Sequence, residues 1–126
     1  MATNRRNRPE YLISQSLAAN LRCYQQLGLL KCLWLHVPNE RIVSSGKDFK
    51  FLNHQCKMGM QSGAPDFIFL KSDGCLQIEL KSEKGRQTEN QIKWEKLSKS
   101  KDVPYYVCRS VKEAENLLAE FGYLKL

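Results

Sequence analysis

The sequence predicts a single-domain α/β protein, with a central mixed β-sheet flanked by helices. Three observations predict it. Segments of helical and strand periodicity follow one another as helix, strand, hairpin, helix, strand, helix. The 126 residues suffice for one core, and no linker, repeat or low-complexity tract divides them. A composition of 42% hydrophobic and 26% charged residues suits a chain that buries a core and argues against disorder.

Residues 1–8 are polar and basic and are expected to form a flexible arm, leaving residues 9–126 as the domain. Pro9 suits a first helical turn, and Glu10 to Leu27 reads as a helix whose buried face is Ile13, Leu17, Leu21 and Tyr24. Gly28 is a natural stop. CLWLHVP, Cys32 to Pro38, reads as a strand. Residues 40–61 are less legible, with a loop at Ser44-Ser45-Gly46 and a short helix around Phe49 to Met58. DFIFLK (Asp66 to Lys71) and CLQIELK (Cys75 to Lys81) form a hairpin, with Asp73-Gly74 as its two-residue loop. Thr88 and Gln91 have capping-box spacing and open a helix to about Ser100. VPYYVCR, Val103 to Arg109, is a further strand, with Pro104 marking its beginning or an edge. Ser110 and Glu113 suggest a second capping box before an amphipathic helix built on Val111, Ala114, Leu117, Leu118 and Phe121.

Twenty lysines and arginines against thirteen acidic residues give a net charge of +7. That balance favours an anionic partner, nucleic acid first, although charge spread evenly for solubility explains composition equally well. The five cysteines are odd in number, contain no CxxC pair and follow no export signal, so they are expected to be reduced thiols of a cytoplasmic protein. His54 and Cys56 form an HxC pair without a second pair of zinc-ligand spacing, so zinc is not expected.

The chemistry lies in the hairpin. Glu79 and Lys81 are two apart on a strand and emerge from the same face, while Leu80 offers only its backbone there. With Asp73-Gly74 as the loop, Ser72 opposes Cys75 and Asp66 opposes Lys81, so Asp66, Glu79 and Lys81 share one face. Converging carboxylates suit a hard divalent cation, Mg²⁺ or Mn²⁺, and a neighbouring lysine can orient water or stabilise a phosphorane-like transition state. An ExK triplet alone is more often an exposed ion pair; Asp66 at the matching place raises the catalytic reading. Glu10 extends the inward face of the first helix, and an inward carboxylate needs a partner. A metal is one partner, a favourable charge at a helix N-terminus is the other reading, and Glu40 is a weaker substitute.

GAPDFIF followed by IELKSEKGRQTENQ, with HVPNE before and VCRSVKEAENLL after, resembles the VRR-NUC branch of the PD-(D/E)xK nucleases. The resemblance covers most of the chain outside the basic N-terminus. It implies that Asp66, Glu79 and the carbonyl of Leu80 bind metal, that Lys81 is the catalytic lysine and that Gln91 supports the site, alongside a capping role. It also implies that Glu10 matches a glutamate of the family's first helix. Compact relatives from viruses and phages resemble Holliday junction resolvases that work as homodimers, so a four-way DNA junction is the implied substrate. A flap or single-strand nuclease of the same fold, or a non-catalytic nucleic-acid-binding module, is the alternative. Lys57, Lys84, Arg86, Lys93 and Lys96 near the motif, with Arg5, Arg6 and Arg8 in the arm, could hold phosphates without reading sequence. Solvated surface charge is the ordinary alternative for about half of them.

Overall fold

Two short runs of alternating residues build the centre of the molecule. A computed structural model describes residues 2–38, 54, 57–59 and 61–126, with side chains from residue 9 onward. Strand β2 (Phe67–Lys71) pairs antiparallel with β3 (Gly74–Leu80), so that Phe67 faces Ile78 and Phe69 faces Leu76. Because side chains alternate, these four and Leu80 fall on one face, and all are buried. Helix α1 (Ala2–Gln26) lays Leu17 and Leu21 on that face. Helix α3 (Val111–Glu120) adds Ala114 and Leu118.

The opposite face of β3 carries Gln77 and Glu79. It is covered by α2 (Glu89–Ser100), whose Trp94 donates its indole N–H to Gln77 Oε1 at 2.7 Å. β1 (Leu33–His36) flanks β2 antiparallel, and β4 (Tyr105–Cys108) flanks β3 parallel after the α2 crossover. The sheet order is β1-β2-β3-β4, a mixed sheet with helices on both faces, as the sequence predicts. The C-terminus closes the core with Tyr123 and Leu124; Lys31 N–H donates to the Tyr123 carbonyl and Lys125 N–H to the Leu29 carbonyl.

Three details differ from expectation. Helical backbone begins at Ala2, so the stretch expected as a flexible arm is continuous with α1 and Pro9 stands inside the helix. Pro9 there lacks an N–H for the carbonyl one turn back, a local loss that the rest of the helix tolerates. The hairpin turn is Ser72-Asp73, not Asp73-Gly74: Lys71 pairs with Gly74, and no residue from 72 to 74 takes the positive φ that a primed Asp-Gly turn needs. At the second expected capping box, Ser110 Oγ accepts from the Glu113 N–H at 3.0 Å, but the Glu113 carboxylate accepts from Arg109 N–H. Only half of that box exists. The expected short helix around Phe49 to Met58 lies largely outside the described residues, as do Glu40, Cys56 and the Ser44–Gly46 loop.

Candidate active site

The altered turn moves Asp66 without turning it over. In the observed register the residue before Phe67 stands level with Glu79, not with Lys81. The alignment shifts by two residues, and a shift of two preserves the face. Asp66, Glu79 and Lys81 therefore still emerge together, at the end of the sheet where β2 begins and β3 ends. Asp66 is 5% exposed, Glu79 1% and Lys81 6%.

Each group is held by its neighbours. Asp66 Oδ2 accepts the Leu80 N–H at 2.8 Å, capping a ladder that has run out of β2 partners. Its backbone carbonyl accepts from Val37 N–H at 2.8 Å and from His36 Nδ1 at 2.9 Å, which puts the ring proton of His36 on Nδ1. The N–H groups of Gln77 and Lys81 point to β4, so by alternation both backbone groups of Leu80 point to the Asp66 side. Before Asp66, Gly63 packs so closely on α2 that a Cβ would collide with the Asn90 backbone, and its φ of +88° suits glycine alone.

Gln91 joins α2 to the site. Thr88 N–H donates to Gln91 Oε1 at 2.9 Å and Gln91 N–H donates to Thr88 Oγ1 at 3.2 Å, a complete capping box. With its oxygen so engaged, the amide presents Nε2, which donates to Glu79 Oε2 at 3.1 Å. Capping and contact with the site occur together in one side chain.

Lys81 Nζ lies 3.9 Å from Glu79 Oε2 and 3.9 Å from Glu10 Oε1, buried among three elements. Glu10 Oε1 also accepts the Ser82 N–H at 3.4 Å. The inward direction expected of Glu10 is present, but the helix-terminus alternative is corrected: with α1 starting at Ala2, Glu10 sits beyond the first turn. Its carboxylate pairs with Lys81. Among the described residues no three His, Cys, Asp or Glu side chains gather closely enough to hold a metal ion. The donor set that does fit is two hard carboxylates, Asp66 and Glu79, with the Leu80 carbonyl. Mg²⁺, which keeps several waters, is commonly bound through one or two carboxylates.

Arg109 is a residue the sequence reading missed. Its guanidinium Nη1 donates to the carbonyls of Ser82 and Gly85, each at 2.7 Å, and reaches that of Glu83 at 3.4 Å. This clamp shapes the loop after Lys81, where a Cβ on Gly85 would come within 2.8 Å of Glu10 Oε1. Gln77 was missed too. A glutamine two residues before Glu79 shares its face, and a buried amide there demanded partners, which Trp94, Ser98 and the Pro104 carbonyl supply.

The expected phosphate-binding residues are placed more loosely. Lys57, Lys84, Arg86, Lys93 and Lys96 are exposed, Lys84 and Arg86 on the loop after Lys81. Lys93 is engaged by Glu89 at 3.6 Å, one helical turn away. The side chains of Arg5, Arg6 and Arg8 are outside the described set. Cys23, Cys32, Cys75 and Cys108 are free thiols, and burial pushes Cys32 up to about 11 and Cys108 up to about 12. Those two stay protonated near neutrality and offer neither nucleophile nor thiolate ligand.

A mixed sheet with helices on both faces, and an Asp, a Glu and a Lys buried together at its end, define a PD-(D/E)xK nuclease-type domain. The chain belongs to the VRR-NUC domain family, whose model matches residues 9–112. No curated protein and no solved structure matches it. The match stops inside α3, although Leu118, Tyr123 and Leu124 beyond it complete the core.

Proposed function

We propose that this nuclease is a metal-dependent, structure-specific DNA endonuclease that works as a homodimer on four-way junctions in the cytoplasm. The observation that carries the hydrolytic reading is the burial of Asp66, Glu79 and Lys81 side by side, with Gln91 hydrogen-bonded to Glu79. Asp66, Glu79 and the Leu80 carbonyl would hold Mg²⁺ or Mn²⁺, which when bound supplies charge neutralisation at the phosphate and acidifies water for attack.

The protein's own groups do the rest. Gln91 holds the Glu79 carboxylate in one orientation, and the Asp66 carboxylate is anchored on the Leu80 N–H. Lys81, braced by Glu79 and Glu10, hydrogen-bonds the attacking water or a non-bridging phosphate oxygen as charge develops. Glu10 is a positioning residue in this scheme. Lys84 and Arg86 on the adjoining loop, with Lys57, Lys93 and Lys96, hold flanking phosphates without reading bases. One site per chain requires two-fold pairing to cut two strands symmetrically.

Four-way, flapped, linear and single-stranded DNAs incubated with Mg²⁺ or Mn²⁺ test the proposal, alongside light scattering. Paired incisions of opposing strands in the four-way junction by a dimer are expected. A monomer that cuts linear and branched DNA equally would remove the resolvase reading and leave the hydrolysis. Equal activity of wild type and Asp66→Asn would remove the site itself.

A further inference from the structure

A groove of about 240 Å³ opens beside Asp66, between α1 and the edge strand β1, and the chemistry above leaves it unused. Its α1 wall is the row Glu10, Ser14, Ala18 and Arg22, residues four apart and so stacked on one face of the helix. The helical rise from Glu10 to Arg22 makes the row about 18 Å long at about 1.5 Å per residue. Ser14 and Ala18 are small and leave the middle open. Four rings line it as well: Tyr11, which is 57% exposed, Trp34, His36 and the buried Phe67. Asp66 and Glu10 mark one end. At the other, the Arg22 guanidinium lies 5.9 Å from the Trp34 ring centroid.

We infer that this groove receives a nucleotide unstacked from the substrate strand, next to the phosphate at Asp66. Aromatic walls accept the face of any base and need no sequence, whereas a base must leave its pair and its stack before it can enter a cleft. The guanidinium at the far end suits a phosphate two or three nucleotides further along the strand. The inference rests on the nuclease reading, because Asp66 marks where the scissile phosphate lies. It deepens that reading: the favoured substrate carries an unpaired nucleotide at its branch point.

Binding without metal separates this inference from the hydrolytic one. Two branched DNAs, identical except that one nucleotide at the branch is paired or unpaired, carry 5-iodouracil there and are irradiated with the protein in EDTA. The unpaired base is expected to cross-link to Tyr11, Trp34 or His36, and the paired base is not. Tyr11→Ala removes an exposed ring, and Ser14→Trp fills the groove. Each is expected to cut the affinity ratio of unpaired over paired DNA about tenfold, with affinity for plain duplex unchanged. Equal cross-linking of both DNAs, or unchanged ratios in both variants, overturns the inference. So does a Ser14→Trp variant that only weakens self-association, since the groove would then hold a second copy of the chain. Mapped cross-links in a protein that fails to cleave with Mg²⁺ support the groove and refute the hydrolytic site, so the two readings fail separately.

Discussion

Replacing Gln91 by glutamate separates the two jobs of one side chain. A glutamate still accepts the Thr88 N–H and so keeps the capping box, which uses Glu or Gln equally. It also sets a carboxylate oxygen where Nε2 stood, 3.1 Å from Glu79 Oε2. Two unit charges at that separation repel by about 5 kcal/mol at an effective dielectric constant of about 20. Lys81, 3.9 Å from Glu79, offsets part of this, and rotation of the new side chain relieves more at the expense of the cap. A net loss of about 2–4 kcal/mol is expected at neutral pH. On acidification one of the two carboxyls takes a proton and donates to the other, so the loss should shrink as pH falls. Gln91→Ala, by contrast, loses an ordinary hydrogen bond and one to a buried carboxylate, about 2–4 kcal/mol with little pH dependence. Urea unfolding of both variants at two pH values measures this. A Gln91→Glu protein as stable as wild type at neutral pH, or equally weakened at both, would refute the contact with Glu79.

The carboxylates and the lysine should respond differently to removal. Asp66→Asn and Glu79→Gln are expected to lower cleavage at least about a hundredfold while DNA binding persists; Lys81→Ala should keep cation binding by calorimetry and lose turnover. Near-normal cleavage by either carboxamide variant at saturating Mg²⁺ contradicts the first part, and loss of cation binding in Lys81→Ala contradicts the second. Trp94→Phe removes the indole donor and strands Gln77 Oε1 on a buried face, which should cost about 1–3 kcal/mol of stability in urea. Alkali should weaken the fold. Burial raises Cys108 from 9.0 to about 12, and the hydrogen bond to Glu115, then burial, raises Tyr24 from 10.0 to about 12. Below pH 9 both groups are protonated in both states and stability is full. As pH rises through 9 to 12 the unfolded chain loses these protons first, so stability falls, and Tyr24→Phe should flatten the part above pH 10. Thermal unfolding from pH 8 to 11 checks the slope, and a flat profile would contradict it.

Local signals were legible wherever a short-range rule governs. The Thr88–Gln91 box, the helix stop before Gly28 and the order of elements depend on residues within a turn or two of each other. The hairpin was found from its turn chemistry, but its loop was placed one residue late. Polar Ser72-Asp73 and Asp73-Gly74 both satisfy a two-residue turn, and the choice between them lies in the ladder that Phe67, Phe69, Leu76 and Ile78 build together. Contacts across the fold were not legible. The Arg109 clamp on the loop at 82–85 spans more than twenty residues, and nothing near Arg109 in sequence announces it.

The sequence by itself determined that Glu79 and Lys81 share a face, because a strand alternates its side chains whatever surrounds it. It also determined that Asp66 joins them, since either two-residue turn keeps the same parity. Only the tertiary structure decided how these charges are compensated. Glu10 comes to Lys81 from a helix more than seventy residues earlier, Gln91 descends on Glu79 from the opposite face, and Asp66 closes on the Leu80 N–H. Such partners are selected by where the sheet ends and how α1 and α2 pack on its two faces. A buried charge must find its partner in space, and the spacing of residues along the chain carries no record of that distance.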